Sequence, residues 1–178
     1  MHRSPSRPAP PATGLTVIDL VLALGIALAL SSLALPLWLH ALQDLRASTL
    51  QRQLVVGMAT ARSTAITRRQ RIGLCPSADG RQCGGRWDQG WLMYRAGTEA
   101  RDPADGAPVL RHEQRHPHPR LIARGSPGRP SLHFHADGRS GNSNQTVTVC
   151  SNGWVHARVI VNLAGRVRST RPASRTPC

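Results

Sequence analysis

Formally charged side chains are absent from Leu20 to Gln43, and Leu20 to Leu39 is apolar except for Gly25, Ser31, Ser32 and Pro36. As a helix, about 20 such residues span the ~30 Å hydrocarbon core of a bilayer. From Ala41 to Thr67 the pattern changes without a break: there is no proline, and Gly57 is the only glycine. Leu50, Leu54, Met58, Ala61 and Ala65 recur every three or four residues, which marks one face of a continuing helix. Arg46, Arg52, Arg62 and Arg68 fall on the opposite face, expected to be wet or to meet neighbouring subunits. Beyond Arg69 the period falls to two and turn-forming residues multiply. Strands are expected at Arg71–Cys75, Trp87–Tyr94, Val109–Arg111, Leu121–Ala123, Leu132–His135, Thr146–Cys150 and Val155–Val161. Asp137-Gly138 and Ala164-Gly165 supply turns between them. The expected class is α+β, a long N-terminal helix packed on a small antiparallel β-domain.

Asp19 sits just inside the apolar run. An unpaired carboxylate there costs several kcal/mol unless it finds a partner. A secretory signal peptide has a shorter apolar core and a cleavage site on its far side, here at best His40-Ala41. Neither that reading nor a plain membrane anchor accounts for the acid.

Gly14-Leu15-Thr16-Val17-Ile18-Asp19 resembles the type IV prepilin signal, with Leu15 in place of the usual Phe and Asp19 in place of the usual Glu. The resemblance implies that a prepilin peptidase cuts between Gly14 and Leu15 and methylates the new N-terminus. It also implies that Asp19 neutralises the N-terminal amine of a neighbouring subunit. Pro36 matches the proline common in such helices, where it removes one backbone hydrogen bond. The implied division is a leader over residues 1–14, a membrane and filament-core helix over 15–40, its amphipathic half over 41–69 and a periplasmic β-domain over 70–178. Arg3 and Arg7 before the apolar run favour a cytoplasmic N-terminus and a single pass through the inner membrane. From there the subunit would enter a pilus or pseudopilus.

The formal charge is +14, all of its positive side chains arginine. A genome that replaces Lys by Arg wholesale gives this composition, and so does a surface built for phosphate, which guanidinium groups bind bidentately. Cys75, Cys83, Cys150 and Cys178 all follow the apolar segment, and an even count there suggests two disulfides in an oxidising compartment. Of the three pairings, Cys75 with Cys83 closes a small loop and Cys150 with Cys178 ties down the C-terminal tail. The spacing of Cys75 and Cys83 is too long for the usual Cys-x-x-Cys of structural zinc.

Ala61-Arg62-Ser63-Thr64-Ala65-Ile66, Leu74-Cys75-Pro76-Ser77-Ala78-Asp79-Gly80, Cys83-Gly84-Gly85, Gly90-Trp91, Phe134 with Asp137-Gly138-Arg139, Val149-Cys150 and Gly165-Arg166-Val167-Arg168 follow in order. Their order resembles the FimT/GspH family of minor pilins and pseudopilins over nearly all of the mature chain. Within it, Gly165-Arg166-Val167-Arg168 is similar to the Gly-Arg-x-Arg motif that carries DNA binding in FimT-like competence pilins. That resemblance implies contact with double-stranded DNA through Arg166 and Arg168, with Arg171 and Arg175 continuing the basic run and Arg139 and Arg158 close by. In a structural pseudopilin of a type II secretion system the same arginines would only solvate the last hairpin.

His112, His116 and His118, and the pair His133 and His135, invite a metal reading, but no acid cluster stands at fitting spacing. The chain has no phosphate-binding glycine loop, paired catalytic carboxylates or activated cysteine. No enzymatic reaction, cofactor, metal or small-molecule substrate is expected; the expected partners are other pilins, the prepilin peptidase, the inner membrane and DNA.

Overall fold

The computed structural model describes residues 16–97, 103, 106–141 and 144–178; Gly14, Leu15 and the rest of the expected leader lie outside the described residues. One helix, α1, runs over Val17–Arg68 with Pro36 inside it. Its start is a reciprocal cap: the Asp19 carboxylate accepts from the Thr16 amide at 3.0 Å and hydroxyl at 2.8 Å, and Thr16 Oγ1 accepts from the Asp19 amide at 3.3 Å. This is a capping box with Asp in the place of Glu. At the other end Arg69 takes a left-handed conformation, φ 49°. The Arg69 amide donates to the Ile66 carbonyl and the Gln70 amide to the Ala65 carbonyl, each at 3.2 Å. That is the Schellman arrangement, with arginine where glycine is usual.

The chain forms two compact units, one ending at Ala41 and one running from Leu42 to Cys178. In the first, α1 exposes its apolar side chains all round and is, among the described residues, the one helix long and apolar enough to cross a membrane. A helix with no polar face has nothing to turn towards water.

In the second unit the stripe Ala47, Leu50, Leu54, Met58, Ala61 and Ala65 is buried. It packs on two antiparallel sheets. The first has the order β3-β2-β1-β5, from β1 (Ile72–Pro76), β2 (Gly90–Arg95), β3 (Val109–Gln114) and β5 (Leu132–Phe134). The second has the order β4-β6-β7-β8, from β4 (Leu121–Arg124), β6 (Gln145–Ser151), β7 (Trp154–Val161) and β8 (Val167–Thr170). The helix stripe shares one core with Ile72, Leu74 and Phe134 of the first sheet and Ala123, Val147, Val149, Val159 and Val161 of the second.

β1 and β2 are buried on both faces rather than alternating, because Cys75, Leu92, Tyr94, Ala96 and Ala107 form a second apolar cluster. Gly73 stands opposite Tyr94, and a Cβ at Gly73 would come within 2.2 Å of that ring. Only glycine lets the ring lie across β1, where the Tyr94 hydroxyl meets His133 Nε2 at 3.0 Å. One ring nitrogen of the histidine that had invited a metal reading is therefore occupied. Among the described residues no three His, Cys, Asp or Glu side chains cluster to hold a metal.

Two expectations about the strands fail. The second strand starts at Gly90, not Trp87, because residues 87–89 turn to join the sheets. The Trp87 amide donates to the Ala123 carbonyl at 3.1 Å, and the buried Asp88 carboxylate accepts from the Ala123 amide at 2.8 Å and from Arg86. There is also an eighth strand, β8, unmarked by apolar alternation because it lies at the edge of its sheet and Val167 is its only apolar residue.

Candidate nucleic-acid interface

The β7 to β8 connection carries the Gly-Arg-x-Arg sequence. Asn162 holds this turn at both of its ends: its carbonyl accepts from the Gly165 amide at 2.8 Å, and its side-chain oxygen accepts from the Arg166 amide at 2.8 Å. Gly165 has φ 75°, which an L side chain tolerates poorly. It also packs against the neighbouring turn so closely that a Cβ would lie 1.9 Å from the Gly138 carbonyl oxygen. That same oxygen accepts from Arg62 Nε at 3.0 Å. Arg62, expected on the wet face of α1, is instead half-buried and ties the helix to the turn.

The two turns are joined further by Ser140, whose amide donates to the Leu163 carbonyl at 3.1 Å and whose hydroxyl donates to the Asn162 carbonyl at 2.7 Å. Arg139 is thereby brought beside the motif. Its amide is held by the Asp137 carboxylate at 2.9 Å and its side chain is exposed.

Strand alternation then separates the arginines. Val167 packs on the core, so Arg166 and Arg168 face away from α1, both exposed. Ser169 and Arg171 face the helix: Ser169 accepts from Gln51 at 2.9 Å, and Arg171 Nη2 donates to Ser48 Oγ at 3.2 Å. Arg171 is thus drawn away from Arg166 and Arg168. Arg175 is elsewhere again, stacked 4.3 Å from the Trp154 ring centroid. No signal in a single sequence separates these arginines, because the register of β8 against β7 decides which way each points.

The tail that holds Arg171 and Arg175 is fastened at its end. Cys150 is bonded to Cys178, the Cys178 amide donates to the Gly153 carbonyl at 2.9 Å, and the Val155 amide donates to the Thr176 carbonyl at 2.9 Å. Closing a loop with a sequence separation of 28 restricts the unfolded chain by roughly 3 to 4 kcal/mol. The second disulfide, Cys75 to Cys83, closes the loop after β1.

Between tail and helix lies His156, its side chain only 12% exposed. Its Nε2 meets Ser48 Oγ at 3.1 Å, and Nδ1 stands 3.9 Å from the largely exposed Asp44 carboxylate. The order Ser, His, Asp superficially suits a proton relay. But 3.9 Å is no hydrogen bond, and Ser48 Oγ already accepts from Arg171, so the cluster anchors the tail. Burial and the Arg171 charge hold the His156 pKa below its ordinary value, with Asp44 opposing them.

A histidine so depressed binds its proton less readily folded than unfolded. The stability this provides is fully present above the unfolded pKa of about 6.5 and is lost as pH falls from there through the lower folded pKa. Urea unfolding of the protein is therefore expected to show stability falling as the pH is lowered from about 7.5 to 5.5. His156→Gln should flatten that part of the curve; identical slopes in the two proteins would exclude a buried neutral imidazole.

Asp137, on the neighbouring turn, accepts from the Arg139 amide and forms no described salt bridge. Among the described residues, the salt bridges are Arg86–Asp88, Arg111–Glu113 and His156–Asp44, and none involves Arg139, Arg166 or Arg168. The turn that carries Arg166 and Arg168 has a fixed backbone and exposed side chains, and among the described residues neither arginine forms a salt bridge.

Comparison with known proteins bears on this surface. Residues 50–165 match the model of the family described as Type II transport protein GspH, so the matched segment stops immediately before Arg166. The fold is similar to the type IV minor pilin FimU of Pseudomonas aeruginosa, with a TM-score of 0.56 and 21% identity over 72% of this chain and 90% of that one. It is also similar to the minor pseudopilin EpsH from the type 2 secretion system of Vibrio cholerae, with a TM-score of 0.51 and 14% identity over 72% of this chain and 99% of that one. No curated protein matches the sequence.

Proposed function

From the premise that the chain belongs to the GspH family of minor pilins and pseudopilins, we propose that it is a DNA-binding minor pilin of a type IV pilus system. It is made as a precursor cut after Gly14, so that Leu15 begins the mature chain. The apolar first part of α1 holds it in the inner membrane with the β-domain periplasmic, and the same helix later packs among other pilins. Asp19 meets a neighbouring subunit's N-terminal amine, and Pro36 loosens the helix for that packing. Arg166 and Arg168, with Arg139 beside them, bind the phosphates of double-stranded DNA without reading sequence.

The observation that carries the DNA reading is the turn itself. Arg166 and Arg168 stand exposed and, among the described residues, without a salt-bridge partner, on a backbone held by Asn162, Gly138 and Arg62. A backbone already held in place spares the entropy of ordering the turn when its arginines meet a phosphate.

The test is DNA binding by the mature protein in detergent, measured by fluorescence anisotropy across a salt series. Each neutralised phosphate contributes about 0.9 to the slope of log affinity against log salt. R166A/R168A is therefore expected to lower that slope by about 1.8 and to weaken binding at least about tenfold at 0.1 M salt. If the unmodified protein binds no DNA at low salt, the reading falls. The structural role of a type II secretion pseudopilin then stands, as the family's description and the end of the matched segment before Arg166 favour.

A further inference from the structure

We propose that double-stranded DNA lies along an arginine track on the outer face of the second sheet, with Arg124 and Arg158 as contacts in addition to the hairpin arginines. This rests on the DNA-binding reading and extends it to residues outside the Gly-Arg-x-Arg motif. Strand register places the track. Leu121 and Ala123 of β4, Val147 and Val149 of β6, Val159 and Val161 of β7 and Val167 of β8 all meet the core. Their alternating neighbours, Arg124, Thr148, Arg158 and Arg168 among them, therefore share the opposite face.

Arg124 is paired with Thr148, Thr148 with Arg158, and Arg158 with Thr170, which makes one row across four strands. Two residues along, Thr146, Ile160 and Arg168 make the next row. With strands about 4.8 Å apart and about 6.7 Å between same-face neighbours, Arg124 and Arg158 have backbones roughly 10 Å apart. Arg158 and Arg168 are diagonal neighbours at about 8 Å. Arg166 extends the line past the end of β8.

The residues between these arginines are Thr146, Thr148, Ile160 and Thr170, which carry no charge. None of the four strands contains an acid, and no Asp or Glu follows Asp137 anywhere in the sequence. The described salt bridges all lie off this face. Arg124 is exposed and Arg158 half-exposed. Arg124, Arg158, Arg166 and Arg168 thus share one sheet face whose four strands carry no acid. Duplex DNA presents one negative charge per ~1.7 Å of axis, so a track of this length faces many phosphates at once. Arginines without acid partners would repel one another less once those phosphates lie between them.

The experiment compares salt slopes for the mature protein in detergent with a 30-base-pair duplex as probe. R124A/R158A is expected to lose about 1.8 from the slope and at least about tenfold in affinity at 0.1 M salt. Thr148→Glu, which puts an acid between the two arginines, should weaken binding by a similar factor. R52A/R111A removes the same charge from the helix and the first sheet and should leave the slope within about 0.3 of the unmodified protein. Circular dichroism melts of each variant report whether it folds; these are surface positions, and the two kinds of change at this face fail independently.

Unchanged slopes in R124A/R158A and T148E, with binding lost in R166A/R168A, would confine contact to the hairpin. That outcome overturns the track and leaves the DNA-binding reading intact. An equal loss in R52A/R111A would mean that only net charge matters and would also overturn it. No binding by the unmodified protein would remove both.

Discussion

Asp19→Ala is expected to eliminate the subunit from filaments sheared from cells while leaving its amount in the inner membrane nearly unchanged. In the single chain this carboxylate does a local job, capping α1 through Thr16. Losing that cap should cost no more than about 1 kcal/mol of helix stability. In the proposed assembly the same carboxylate faces a neighbour's amine within the apolar packing. Removing one partner of such a pair leaves an uncompensated charge, at about 3 to 5 kcal/mol. The two roles thus predict effects of very different size. Quantitative immunoblotting of filament and membrane fractions measures the ratio, with Asp19→Glu as the variant that keeps the charge and restores the family's usual residue. Filaments that incorporate the alanine variant as well as the original would leave Asp19 with capping alone.

Gly165→Ala should destabilise the β-domain strongly. Its φ of 75° costs a non-glycine residue about 1 to 2 kcal/mol. The added methyl would also have to displace the Gly138 carbonyl, which lies 1.9 Å from where the Cβ belongs. Forcing those turns apart breaks the Arg62 hydrogen bond and strains the Ser140 contacts, so a total loss of about 3 kcal/mol or more is expected. Chemical denaturation of the mature protein would show this as a lower midpoint, whereas R166A/R168A should unfold like the parent. An unchanged midpoint for Gly165→Ala would mean that the two turns do not hold each other. The contrast matters for reading the motif: its glycine acts through the fold and its arginines through charge.

Neighbouring parts of the motif differed in how far the sequence exposed them. The helix is visible because its signals are local: an uncharged apolar run, then no proline and one glycine from Ala41 to Thr67, with an apolar stripe that holds its period from Leu50 to Ala65. Most strands were visible for the same reason. β8 was not, since an edge strand with one inward residue has almost no alternation to detect. Trp87 to Gln89 read as strand by composition, but contacts to Ala123 bend them into a turn.

Arg62 shows the limit most clearly. By helical spacing it belongs with Arg46, Arg52 and Arg68 on the wet face. Its guanidinium nonetheless reaches the Gly138 carbonyl, 76 residues away in sequence, and so supports Gly165. Arg171 is the converse case, continuous with the basic run in sequence and turned towards Ser48 in space.

The sequence by itself determined the long helix, its uncharged membrane-length portion, the membership of the buried stripe and the antiparallel β character of the rest, because each follows from residue type and short-range periodicity. The tertiary structure alone decided the grouping of the eight described strands into two sheets, the pairing of the 138 and 165 turns and the directions of the β8 and tail arginines. Those depend on register and on contacts between distant residues, where a shift of one position reverses every side chain on a strand.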